Sequence, residues 1–365
     1  MSNSPKYQKI LVIATHCIGD SLLITPFTRS LRQAYPNAQI DVLINERGGM
    51  VFNTNTDINH LVDIPPRPKW KDYWRILRQY GRYDLVVNEM TNDRTAIYSF
   101  IFGKHRLGII DPSLPGAWLK KRVYNLSITE RPDFEHKMSR AARLLNTISV
   151  TIFPQVIAPE APLPEKLVKT LPQRYVVVHC PSSNEIKQWP VEYWQVVIST
   201  LLEKGYYLVL SGAPLERDRL IVQQIVDNLP SSERLISTVG KLSLAQTSTL
   251  LKHSAGFVGP DSGPGHMAAG YPIPIISIIS VAPASKWSPW PYQMPVNTQK
   301  NLYLNRRAEQ QQSNVIILQS ERQCVPCYKN KCQISDAHYS PCLQDITPDR
   351  VIRAVEAAIP LEAVE

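Results

Sequence analysis

Residues 9–26 read KILVIATHCIGDSLLITP. The run 9–15 has the length and branched apolar composition of a buried strand. Gly19 then permits a tight turn. Residues 21–35, SLLITPFTRSLRQAY, carry apolar spacing suited to a helix. Pro26 falls early in that helix, where proline is tolerated. Strand, turn and helix in this order open a βαβ unit. The turn is not a phosphate-cradling loop, since neither G-x-x-x-x-G-K-[ST] nor G-x-G-x-x-G is present there. It holds Asp20, whose charge repels phosphate. Asp20 and Ser21 suit a helix cap, where the dipole favours an acid. A general base is the functional alternative for Asp20.

The alternation continues outward from this stretch. QIDVLIN (39–45) and YDLVVNE (83–89) read as strands, and YWRILRQYG (73–81) as a helix ending at glycine. Residues 154–172 hold five prolines and read as a linker of restrained flexibility. Then the pattern restarts. YVVVHCP (175–181), YYLVLSGAP (206–214), GFVGPDSG (256–263) and IPIISIIS (273–280) read as strands, the third running into a turn. Helices are expected over 190–205, between Pro190 and Gly205, over 244–254, from 265, and over 347–359 with Thr347 as N-cap. The expectation is an α/β chain with parallel sheets. One domain spans 1–155, a Pro-rich linker 156–172, a second domain 173–345 and a C-terminal helix 346–365. A cleft between two such domains is a favoured ligand site.

The chain has 365 residues, 44% of them hydrophobic and 19% charged, which is a globular composition. No apolar run reaches the ~18 residues of a membrane span. The N-terminus lacks a signal-peptide pattern, so the expected location is the cytoplasm. The formal charge is +9 and lies mostly in the first half, with 21 Lys+Arg against 14 Asp+Glu over residues 1–160. Such an excess suits nucleic acid, a phosphorylated glycolipid or an acidic membrane face, or is a solvated surface.

Three further segments bear chemistry. In SSNEIKQWP (182–190), Lys187 falls between a strand end and a helix start. That is a place for phosphate, or for a surface lysine; Trp189 reads as packing. In VGPDSGPGHMAAG (258–270), Asp261, Ser262 and Gly263 form a turn whose N–H groups suit a diphosphate. Asp261 suits a sugar hydroxyl, and His266 either a phosphate contact or a core position. Cys324, Cys327, Cys332 and Cys342 are spaced C-x2-C-x4-C-x9-C. They suit a tetrahedral thiolate site for Zn or Fe, four reduced thiols, or an oxidisable pair. Cys17 and Cys180 read as buried apolar side chains.

Together these segments resemble glycosyltransferase family nine, the ADP-heptose:lipopolysaccharide heptosyltransferases. The likeness runs through KILVIATHCIGDSLLITPFTRSLRQAYPNAQIDVL, NDRTAIYSFIFGKHRLGI, IKQWPVEYW, YYLVLSGAPLERD, VGKLSLAQTSTLLKHS and VGPDSGPGHMAAG. The resemblance implies a GT-B fold: two Rossmann-like domains facing a central cleft, acceptor on the first and nucleotide sugar on the second. It implies inverting transfer of a heptose from ADP-heptose to a lipopolysaccharide inner core, with no metal required for transfer. It implies Asp20 as the base, Lys187 on donor phosphate and Glu216 on the ribose. Asp261, Ser262, Gly263 and His266 would line the sugar-diphosphate pocket. The implied partners are the nucleotide sugar and an anionic glycolipid, with no nucleic acid and with peripheral contact at the inner membrane left open. The chain departs from the family pattern at Ser182, Pro260, Gly265 and the segment ISVA (279–282), where Ala282 replaces a threonine. The cysteine cluster resembles the iron-binding cluster of heptosyltransferases that glycosylate autotransporter proteins. A protein acceptor is thus an alternative, as is a catalytically weak carbohydrate- or nucleotide-binding member.

Overall fold

The structure is a computed structural model that describes residues 7–15, 17–45, 48–132, 135–335 and 339–361. The chain divides into two compact units. One runs through Ile157 and includes Pro295–Lys300; the other holds Ala158–Met294 and Asn301 onward.

The first unit contains β1 (Lys9–Ala14), β2 (Gln39–Ile44), β3 (His60–Asp63), β4 (Tyr83–Asn88), β5 (Gly103–Ile110) and β6 (Leu126–Thr129). All pair in parallel, in the order β3-β2-β1-β4-β5-β6. β1 lies at the centre, and Ile13 is flanked by Leu43 and Asn88. Residues 10–14 are all buried, which is why β1 reads as a continuous apolar run rather than an alternating one.

The helix expected over 21–35 is two helices, Ile18–Leu22 and Thr25–Ala34. Pro26 has no N–H to give the Leu22 carbonyl four residues back. The Thr25 hydroxyl donates to that carbonyl instead, at 2.7 Å. The helix expected over 73–81 begins three residues earlier, at Trp70. The Lys69 N–H donates to the Asp72 carboxylate at 2.7 Å. It stops at Gly81, whose φ of +65° suits glycine.

The second unit contains β7 (Val176–His179), β8 (Leu208–Ser211), β9 (Leu235–Ser237), β10 (Gly256–Pro260), β11 (Ile275–Ile279), β12 (Glu309–Gln312) and β13 (Val315–Gln319). Their order is β12-β13-β11-β10-β7-β8-β9, parallel except for edge strand β12. From Ala158 the Pro-rich segment belongs to this unit and includes a helix, Glu165–Thr170. It is docked rather than loose, because both the N–H and the carbonyl of Ala161 bond the Thr249 hydroxyl, at 3.2 and 2.8 Å. The last helix, Pro348–Ala358, places Val351, Ile352 and Val355 in the same core as Trp189 and Leu201. Among the described residues no helix is long and apolar enough to cross a membrane.

Candidate active site

In the first sheet the strand order reverses between β1 and β4. Open α/β sheets hold ligands outside the carboxyl ends of such a pair. Two acids stand there. Asp20 lies in the helix that follows β1, and Glu89 immediately follows Asn88, the last residue of β4. Cys17 occupies the N-cap with extended backbone and no side-chain cap bond, so Asp20 is the third helical residue. This corrects the capping expectation for Asp20 and Ser21: the chain turns before Gly19, not at it. Cys17 is exposed rather than buried, because that turn leaves it outside the packed strand. Cys180, at the end of β7, is buried as expected.

Around the acids is a buried charge network. Lys137 Nζ lies 3.1 and 3.2 Å from the two Glu89 oxygens. Arg140, one turn along the same helix, reaches Glu89 at 2.5 Å and Glu130 at 2.7 Å. Burial pushes the Lys137 pKa down, as does Arg140; the charges of Glu89 and Asp20 pull it back up. Burial also works against the Arg140 charge, but Glu89 and Glu130 outweigh it. Asp20 therefore sits within electrostatic reach of a buried ammonium.

The second sheet reverses between β7 and β10. Lys187 follows β7 in a short 3₁₀ turn, Glu185–Lys187, whose cap is Asn184. Asp261 follows β10 and is nearly buried. Lys187 Nζ and Asp261 Oδ2 are 2.7 Å apart, and His266 Nε2 lies 3.9 Å from Asp261 Oδ1. Ser262 caps the helix Gly263–Ala268, and its Oγ is buried with no hydrogen-bond partner. Gly259 permits this close packing, since a Cβ there would lie 2.6 Å from the Phe257 ring and 3.1 Å from the His179 carbonyl. Glu216 opens the helix Glu216–Val226 and is exposed.

The model of glycosyltransferase family 9 (heptosyltransferase) matches residues 70–338. The chain belongs to glycosyltransferase family 9. Among curated relatives of this family, lipopolysaccharide heptosyltransferase 3 of Escherichia coli (strain K12) is 26% identical, over 74% of this chain and 82% of its own length. A family 9 glycosyltransferase structure from Veillonella parvula DSM 2008 superposes with a TM-score of 0.72 at 19% identity, over 97% of each chain. The structure of the E. coli ADP-heptose lipopolysaccharide heptosyltransferase II superposes at 0.68 and 18% identity, over 96% of this chain and 98% of that one. The fold is therefore the GT-B type of the family 9 heptosyltransferases.

Within residues 279–282, two backbone carbonyls are already engaged. The Val281 carbonyl accepts from the Tyr328 N–H and the Ala282 carbonyl from Gln319, both at 3.2 Å. Tyr328 belongs to the cysteine segment. Cys324, Cys327, Cys332 and Cys342 together line a cavity of about 90 Å³, walled also by Ile186 and Val281. Burial, then the three neighbouring thiols, push the Cys342 pKa up to about 12. Among the described residues no three potential ligands are set as a coordinating group. The four thiols share one small space.

Sequence reasoning missed Glu89, Lys137 and Arg140. The signals were an acid closing the apolar strand 83–89 and two bases three apart on one helix. Their convergence depends on strand order, which sequence spacing does not carry.

Proposed function

We propose that the protein transfers a heptose from ADP-heptose to a lipopolysaccharide inner-core hydroxyl with inversion at the anomeric carbon. What supports this most is the division of chemistry between the two strand-order reversals. The first holds a carboxylate beside a buried ammonium. The second holds a cation, an acid, a histidine and an unpartnered hydroxyl. Inverting transfer needs a base for the acceptor and stabilisation of the leaving diphosphate. Asp20 takes the proton as the acceptor oxygen bonds the anomeric carbon. The bond from that carbon to the diphosphate oxygen breaks on the opposite face, and ADP leaves with the electron pair. Lys187 exchanges Asp261 for the diphosphate, Ser262 and the Gly263 N–H bind its oxygens, and His266 donates to it. Glu216 holds the ribose. The names of the relatives support the donor and the glycolipid acceptor. The test is transfer by purified protein from ADP-heptose to a lipid A–core acceptor, with product stereochemistry read by NMR. Retention of configuration, or donor binding without transfer, overturns the reading.

The shared cysteine cavity supports a structural metal. Cys324, Cys327, Cys332 and Cys342 would be its thiolate ligands, and a bound Zn or Fe would supply cross-linking of the segment 324–342. Ile186 and Val281 make the cavity a neighbour of the Lys187 turn.

A further inference from the structure

We propose that the outer face of one helical layer in the first unit docks the protein onto an anionic lipid bilayer. The connections β3 to β4, β4 to β5 and β5 to β6 all step the same way across the sheet. Right-handed crossovers then put helices Trp70–Tyr80, Asp93–Phe102 and Ala117–Val123 on one face. They pack side by side. The Tyr73 ring lies 6.0 and 6.2 Å from those of Tyr98 and Phe102, and Ala96 clusters with Ala117 and Val123.

The first helix buries or half-buries Tyr73, Ile76, Leu77 and Tyr80 and turns residues 70, 71, 74, 75, 78 and 79 outward. That spacing is a single outer stripe. It should be polar on a solvated helix, yet Trp70 and Trp74 on it are 75% and 64% exposed. The rest of the stripe is Lys71, Arg75, Arg78 and Gln79. The next helix exposes Ile97 and Phe100, and the third exposes Trp118 and Leu119. Arg122 lies over the Trp118 ring at 5.2 Å. Residues 67–82 carry six Lys+Arg and one acid, Asp72, which is spent on the helix start.

Indoles among cations are the chemistry of a lipid headgroup region. Tryptophan favours the membrane–water boundary, and Lys and Arg are drawn to an anionic surface. A patch of this extent calls for a partner. Self-association through a two-fold axis would set cations against cations. Ile97, Phe100 and Leu119 suit hydrocarbon better than stacked bases. The proposal deepens the glycolipid-acceptor reading by naming the surface that meets the lipid, and it stands on the exposed stripe alone.

The experiment is co-sedimentation of the full chain with phosphatidylcholine vesicles, with and without phosphatidylglycerol. The expected result is strong binding only with phosphatidylglycerol, weakened by salt. Trp70→Ala with Trp74→Ala lowers partitioning about tenfold or more, and Lys71→Glu with Arg75→Glu abolishes the lipid preference. All four side chains are exposed, so thermal melts should match the parent. Transfer to a deacylated, soluble acceptor should be unchanged in both double variants. Absence of transfer in the parent would refute the enzymatic reading and leave docking intact. Parent protein indifferent to phosphatidylglycerol, variants that sediment like the parent, or a face that binds RNA or a second copy while ignoring vesicles would each overturn the docking proposal.

Discussion

Asp20 sits on a five-residue helix within electrostatic reach of Lys137, whose buried Nζ is paired with Glu89, itself also paired with Arg140. If Asp20 is the base, Asp20→Asn keeps the shape and removes proton acceptance. Transfer should fall about 10²-fold or more with donor affinity unchanged, as read by turnover beside calorimetric titration of ADP. Lys187→Ala should act the other way. It should weaken ADP binding by ~1.5–3 kcal/mol, the range for a hydrogen bond to a charged group; equal affinity would remove Lys187 from the donor site. His179 supplies a pH signature. Burial pushes its pKa down from 6.5 to about 4. The unfolded chain then binds a proton between those values that the native chain refuses, so stability falls as pH drops from about 6.5 toward 4. The loss is on the order of 3 kcal/mol. Urea midpoints across that range should show it, and His179→Gln should flatten the slope.

At the scale of elements, the cysteine segment is built against the Lys187 turn of the second unit. The Ser340 hydroxyl donates to the Ile186 carbonyl at 3.2 Å, one residue before Lys187. A metal among the thiols would thus brace the Lys187 turn. Elemental analysis should find about one equivalent of Zn or Fe per chain, lost in Cys342→Ser. Because thiolate ligands must be deprotonated to bind, occupancy should fall as the pH drops into the acid range. A metal-free protein that is fully stable and binds donor normally would reduce the four cysteines to packing and surface thiols.

Across the whole chain, residues far apart in sequence close the second unit. Trp189 is fully buried and meets Trp194 edge-on at 4.7 Å. Its indole N–H donates to the carbonyls of Leu343 and Ile346, at 3.2 and 3.0 Å, and so ties the start of a central helix to the C-terminal segment. Trp189→Phe should cost ~1–2 kcal/mol for the lost N–H bonds, and Trp189→Ala ~3–5 kcal/mol with the cavity added. Denaturant unfolding measures both. A Trp189→Phe variant as stable as the parent would mean the bonds to the two carbonyls contribute nothing.

The sequence by itself determined the α/β class, the restart of the pattern in a second unit and the place of most central elements. Strands such as 9–14 and 275–279 are apolar on both faces, and helix starts and stops carry Pro and Gly, so local chemistry states them. Lys187 and the turn at Asp261 were legible for the same reason, each falling where a strand ends. Strands β3, β5 and β6 are short or mixed in polarity and gave no such signal. Only the tertiary structure decided which strand ends lie side by side. It gathered Lys137 and Arg140 on Glu89 with Asp20 in electrostatic reach of Lys137, paired Lys187 with Asp261, left Cys17 at the surface and gathered four cysteines about one cavity. It also turned Trp70 and Trp74 outward. These outcomes depend on sheet order and on which helix face packs, and both are settled by contacts between residues distant in the chain.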